Sequence, residues 1–277
     1  MRAVEGQVRR RRVFYIPGYD PFHPRRYREL YRKESALQSA ISGYDISQSA
    51  KKGAGPYGWH VEAQIDGQTV ESDIEVLFWA DMVKTSMNMG IGATYGIMAR
   101  TAWVYISSGA LWRLMKLRKG PVIAALYPVG FLLVQALIAF LAAYAIAYAT
   151  QTLLPTAVGG IFGWLMGAGL AYAILDFFRR KDGKFFAYYL MHDYAYSART
   201  RGANPAELEA RMAEFAERIK EALSSDVDEV LVVGHSSGAH LGVSVLADVL
   251  RDANGDNNGA ELSFLTLGQV VPMVSFL

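Results

Sequence analysis

The sequence has no cysteine among its 277 residues, which excludes disulfides, thiolate metal ligands and a cysteine nucleophile and agrees with a cytoplasmic setting. Histidine is scarce: His23, His60, His192, His235 and His240 are scattered and form no metal-binding spacing such as H-E-x-x-H. No metal and no cofactor is implied. The N-terminus is charged and lacks an apolar core segment, so neither a signal peptide nor a twin-arginine leader is read there. The most informative absence is charge itself. From Gly120 to Leu175 there is no Asp, Glu, Lys, Arg or His, a run more than twice the ~20 residues that one membrane-spanning helix needs.

Two spans fit that run, about 122–148 and 156–175, with Gln151, Thr152 and Pro155 at the turn between them. A pair of buried core helices is the alternative, but helices apolar on every face are rarely hidden side by side in a protein of this size. Ala139, Ala142, Ala143 and Ala147 in the first span and Gly159, Gly163, Gly167 and Gly169 in the second are small residues suited to close helix packing, and Gly163-x-x-x-Gly167 reads as a packing device. Arg113, Lys116, Arg118 and Lys119 precede the hairpin, and Arg179, Arg180, Lys181 and Lys184 follow it. By the positive-inside rule both flanks are cytoplasmic, making this a multi-pass protein of an inner or plasma membrane. The first 33 residues carry ten Lys/Arg against three Asp/Glu. Arg9 to Arg12 therefore read either as a basic arm drawn to anionic membrane lipids or as a solvated tail. No recognition module accompanies them, so no nucleic acid is expected as a partner.

What the sequence does contain is concentrated near its end. Glu229 to Val233 is a continuous apolar, β-branched run suited to a strand buried on both faces. Gly234-His235-Ser236-Ser237-Gly238 follows, and Ala239 to Leu250 then has helical apolar spacing, closed by Gly255 and its Asn/Asp neighbours. Strand, G-x-S-x-G, helix resembles the nucleophile elbow of the α/β-hydrolase superfamily, in which a sharp turn exposes the serine Oγ. The alternative is an ordinary strand-to-helix turn in which serine caps the helix. The resemblance implies Ser236 as nucleophile and Gly234 and Gly238 as the elbow glycines. Val13 to Ile16 followed by Pro17-Gly18-Tyr19-Asp20-Pro21 resembles the early strand and oxyanion loop, which makes the amides of Tyr19 and Ser237 the expected oxyanion hole.

The fold class expected is α/β: a doubly wound, mostly parallel sheet of the α/β-hydrolase type, interrupted by the transmembrane hairpin. Its parts are a basic arm (1–11), a first portion of the α/β domain (12–118), the hairpin region (119–180) and a second portion with the elbow (181–277). Pro24 to Ile41 reads as helix and Ser42 to Tyr57 as loop. Trp59 to Ile65 and Thr69 to Trp79 read as a hairpin around Asp66-Gly67, with Ile74 to Trp79 alternatively a core parallel strand. Asp81 to Leu117 reads as helical and partly amphipathic, its Met, Trp and Tyr content suiting either a surface against the bilayer or a core-facing helix, and Phe185 to Tyr196 reads as helix or strand. Asn204-Pro205-x-Glu207 reads as a capped helix start, followed by the stripe Leu208, Met212, Phe215, Ile219 and Leu223.

In that superfamily an acid and a histidine follow the serine in chain order. Here only His240 follows, inside the helix, and Asp248, Asp252, Asp256 and Glu261 belong to the helix end and its loop. The chain reads as a portion of a longer protein whose remaining strands carry acid and base, or as a fold without a triad; His23 or His192 as a convergent base is a third option. The resemblance implies a membrane-anchored serine hydrolase acting on an ester or thioester, lipid acyl groups included. The other expectation is a non-catalytic, membrane-anchored interaction protein on the same sheet.

Overall fold

A computed structural model describes residues 8–51, 55–87, 89–154, 156–252 and 259–277. Pro155, Gly255, Asp256 and the first seven residues of the basic arm lie outside the described residues. In chain order the elements are β1 (Arg10–Ile16), α1 (Arg25–Ser42), β2 (Asp45–Ala50), β3 (Gly58–Ile65), β4 (Gln68–Val76), α2 (Ala80–Ser86), α3 (Ile91–Ser107), α4 (Ala110–Leu117), α5 (Lys119–Ala125) and α6 (Tyr127–Leu153). Then come α7 (Thr156–Arg180), α8 (Asp182–Phe185), α9 (Ala187–Ala198), α10 (Ala206–Leu223), β5 (Glu229–His235), α11 (Ser237–Asp252), β6 (Glu261–Leu267) and α12 (Val271–Ser275). The chain forms two compact units: a sheet unit, Met1–Thr85 with Asn204–Val271, and a helical unit, Ser86–Ala203 with Pro272–Leu277. The helical unit thus reaches well beyond the 119–180 region expected.

The sheet unit is α/β, with one six-stranded mixed sheet in the order β2-β3-β4-β1-β5-β6. β1 pairs parallel with β4 and with β5, and β5 pairs parallel with β6. β2, β3 and β4 form an antiparallel meander. The β3–β4 turn is Asp66-Gly67, both with positive φ (51° and 78°), the backbone of a type I′ turn, which matches the twist of a two-residue hairpin. Both readings of the Ile74 region hold as far as Val76, where β4 ends short of Trp79, since it closes the hairpin and also runs parallel to β1. Ser42 to Tyr57 is not all loop. β2 occupies its middle, and its alternation of exposed and half-buried residues suits an edge strand.

One face of the sheet gathers Val13, Trp59, Val61, Ile74, Val76 and Val233 under Tyr27 and Tyr31 of α1. On the other face lie Phe14, Ile16, Val230 and Val232, all at most 1% exposed, with α10 and α11 over them. The stripe of α10 is buried at Leu208, Met212, Phe215 and Ile219, as its helical spacing requires. Its start differs from expectation: Pro205, extended at φ −61°, is the cap residue without a side-chain bond, and Asn204 instead donates to Glu209 at 2.8 Å.

Arg10 to Arg12 are strand residues with paired side chains, not a free tail. Arg10 to Arg12 enter β1, where the acidic starts of its neighbours meet them. Asp228 accepts the backbone N–H groups of Arg9 and Arg10 (2.8 Å each), Asp226 pairs with Arg10 at 2.8 Å, and Glu229 pairs with Arg11. Arg12 reaches Glu75, the fully buried carboxylate of β4, at 3.2 Å. Lys51 (2.9 Å) and Arg218 of α10 (3.0 Å) converge on the same carboxylate.

In the helical unit, α6 and α7 form an antiparallel pair. Both are long and apolar enough to cross a membrane, with mean hydropathy 2.3 over an 18-residue stretch within Tyr127–Leu153 and 1.7 over one within Val158–Arg180. Only 22% and 17% of their apolar windows are buried, so apolar surface faces outward, unlike the covered helices of a soluble core. The first helix starts later than residue 122 because the chain breaks at Leu126 and restarts with Pro128 in the opening turn, where proline's missing N–H costs nothing. Three of the four glycines pack closely: a Cβ on Gly167 would sit 2.6 Å from the Ala143 carbonyl oxygen, one on Gly163 would meet Ala147 Cα at 3.0 Å, and one on Gly159 would lie 2.9 Å from the Thr150 carbonyl oxygen, whereas one on Gly169 would meet nothing within 4 Å. Phe185 to Tyr196 resolves as helix, with α9 burying Ala187, Tyr188 and Met191 beside Met98 and Leu132.

Candidate active site

β5 is buried because its neighbours β1 and β6 flank it and helices cover its faces; its last residue, His235, emerges exposed. The chain then reverses through Ser236 into α11. Ser236 has φ +53°, a left-handed conformation costing a non-glycine residue about 1–2 kcal/mol. Asp66, Phe186 and Arg201 share positive φ, but Ser236 alone among these joins a strand to a helix. A serine chosen as a helix cap would have extended backbone, which Ser236 does not have. The turn is held by two backbone bonds: the Ser236 N–H donates to the Leu267 carbonyl (2.9 Å), and the Ala239 N–H donates to the Ser236 carbonyl (3.0 Å).

Both elbow glycines are there for room. A Cβ on Gly234 would lie 2.5 Å from Ala239 Cα, and one on Gly238 would run into the carbonyl oxygens of Ile16 and Pro17, 2.8 Å from Ile16 C. The end of β1 and the first turn of α11 therefore touch backbone to backbone. A third glycine, Gly18, was not singled out by sequence. Its Cβ would stand 3.1 Å from Ser236 Cβ and 3.1 Å from the His235 carbonyl oxygen, so the loop after β1 passes directly against the elbow. That loop is pinned from beneath, since the buried Trp79 indole N–H donates to the Pro17 carbonyl at 2.8 Å and the Tyr19 ring packs edge-on to Trp79 at 6.2 Å. A buried tryptophan needs such an acceptor, which is the signal that could have placed Trp79 here.

The structure thus brings together Ser236, Ser237 at the start of α11, and the Gly18-Tyr19 loop. Tyr19 follows Gly18 in this loop, with its side chain in the core, 2% exposed. Among the described residues no histidine or carboxylate is hydrogen-bonded to Ser236 Oγ. His23 sits in the β1 loop, where its Nδ1 accepts the Arg25 N–H (3.2 Å) and its ring packs against Tyr57. His192 belongs to the helical unit and lies 3.4 Å from Thr94 Oγ1. No group of metal-ligating side chains occurs among the described residues.

His240 lies in the first turn of α11, half-buried, and its Nε2 is buried without a hydrogen-bond partner among the described residues. Burial holds its pKa below the ordinary 6.5, so it is a neutral packing group. As pH falls through about 6.5 the unfolded chain binds a proton that the folded elbow refuses, and stability is lost on that side. Unfolding midpoints should therefore fall between about pH 7 and pH 5, and His240→Asn should flatten that slope. His192, whose pKa burial also lowers, leaves a residual slope of the same sign.

Scans against protein families, curated proteins and solved structures return no match for this chain.

Proposed function

We propose that the chain is a membrane-anchored serine hydrolase of the α/β-hydrolase type, with Ser236 as the nucleophile attacking an ester or thioester. The observation that carries this reading is the left-handed backbone of Ser236 in a strand-to-helix turn whose flanking glycines cannot bear a side chain. Strain of this kind persists where the surroundings over-determine it, and functional sites are where it collects. In the reaction, Oγ forms a bond to the acyl carbon and a base takes its proton. The displaced carbonyl electrons rest on oxygen beside the amides of Ser237 and Tyr19. Collapse expels the alcohol or thiol, which leaves with the proton, and water then releases the acyl group from Ser236. The two apolar helices would hold the hydrolase at a bilayer, concentrating it on acyl substrates there.

The test is fluorophosphonate labelling of the detergent-extracted chain. Wild type should label, while Ser236→Ala and Ser236→Gly should not. Ser236→Gly should also gain about 0.5–1 kcal/mol, the relieved strain less the unfolded-state entropy that glycine adds. A second reading, a non-catalytic interaction protein on the same sheet, is favoured by the lack of a base bonded to Ser236 among the described residues. It requires that wild type fail to label.

A further inference from the structure

The two units differ sharply in charge. Ser86–Ala203 carries eleven Lys/Arg against three Asp, a net +8 in a chain whose total is +2. In the sheet unit most basic side chains are spent on ion pairs, whereas in the helical unit the pairs among the described residues are those of Asp176 with Arg179 and Arg180. Arg113, Lys116, Arg118 and Lys119 stand exposed around α4 and the start of α5, without an ion pair among the described residues, and so do Lys181 and Lys184 just beyond α7.

Large apolar side chains accompany these cations where a water-facing helix would not place them. Trp103 is 68% exposed and Trp112 62% exposed, and Ile106, Leu117 and Ile123 are exposed with them. On α3, Trp103 and Ile106 lie opposite Thr94, Met98 and Thr101, which are buried. On α4, Ala110 and Leu114 turn inward while Trp112 stands outward beside Lys116. The positive-inside rule accounts for cations next to a span. It gives no reason for two exposed tryptophans 24 and 15 residues before α6 begins. Tryptophan prefers the headgroup level of a bilayer, and an amphipathic helix with basic and aromatic flanks lies in that plane.

We propose that the surface formed by the outer faces of α3 and α4 with the start of α5 is an interfacial platform that binds the anionic phospholipid headgroups of the bilayer spanned by α6 and α7. The proposal rests on the membrane reading of those two helices. It assigns headgroup recognition to Trp103, Trp112 and the four cations that follow, and not to Arg10–Arg12, whose side chains are paired internally. Aromatic side chains set the depth, and the cations supply selectivity for negative lipid.

The full chain, placed in nanodiscs of phosphatidylcholine alone or in a two-to-one mixture with phosphatidylglycerol, tests this by tryptophan quenching. Phosphatidylcholine brominated near the headgroup should quench wild type and lose most of that effect on W103F/W112F. Lipid brominated along the acyl chain should quench through Trp164 of α7, as W164F would reveal. Native mass spectrometry should find phosphatidylglycerol retained over phosphatidylcholine, and R113Q/K116Q/R118Q/K119Q should lower that preference at least about fivefold, the factor for one surface cation. Acyl-chain quenching of Trp164 without headgroup-level quenching of Trp103 and Trp112 would overturn the platform and leave the hairpin reading standing. Headgroup-level quenching with no preference for phosphatidylglycerol would overturn it too. Quenching at neither depth would remove the hairpin reading, and the platform with it.

Discussion

A Gly238→Ala variant is expected to lose about 3 kcal/mol of stability and the fluorophosphonate labelling proposed for Ser236. Alanine is ordinarily the better residue inside a helix, by about 1 kcal/mol, so the sign of this result is decided by packing. The added methyl would enter the space of the Ile16 and Pro17 carbonyl oxygens. Those atoms belong to backbone at the end of the central strand β1, and no side-chain rotation moves them aside. Relief requires α11 to back away from β1, which takes Ser236 away from the Gly18 loop. Gly96 of α3 is the matched control, because a Cβ there meets nothing within 4 Å; Gly96→Ala should be neutral or gain up to about 1 kcal/mol. Thermal unfolding of the two variants beside wild type checks both signs, and equal midpoints for all three would refute the argument.

Glu75→Ala should cost about 3–5 kcal/mol, a large part of the about 5–15 kcal/mol that holds an ordinary domain together. The carboxylate is fully buried, and Arg12, Lys51 and Arg218 all converge on it. Removing it strands three cations that have already given up water. Asp73, 3.7 Å from Arg12, and Glu221, 3.4 Å from Arg218, compensate in part. Lys51, only 10% exposed, has no other ion pair among the described residues. Urea unfolding followed through Trp59 and Trp79, both buried in the sheet unit, measures the loss. A double variant, Glu75→Ala with Lys51→Met, should recover part of it, since the least hydrated cation is then gone.

The strand-turn-helix around Ser236 was legible because its signals are local. A β-branched run, a glycine pair around a serine and a helical apolar stripe sit within about two dozen consecutive residues, and each obeys backbone sterics that need no distant partner. The apolar helices were legible for the same reason, with an error of five residues where Pro128 starts a new helix. β2 was not, because an edge strand needs no apolar alternation and Asp45 to Ala50 is mostly polar. The fate of Arg9 to Arg12 was hidden by sequence distance, for their carboxylates lie up to 219 positions away. A run of arginines looks solvated until the strand order puts Asp226, Asp228 and Glu229 beside it. Trp79 was missed as the support of the Gly18 loop because its bond to Pro17 is tertiary.

β6 borders the sheet among the described strands, and the amide of Ser236 hangs from the carbonyl of its last residue, Leu267. Border strands fray first, and a protected amide exchanges its hydrogen only as fast as the bond that shields it opens. The exchange rate of that one amide is therefore a gauge of how often the border strand lets go. Whatever steadies β6 steadies the backbone that aims the serine.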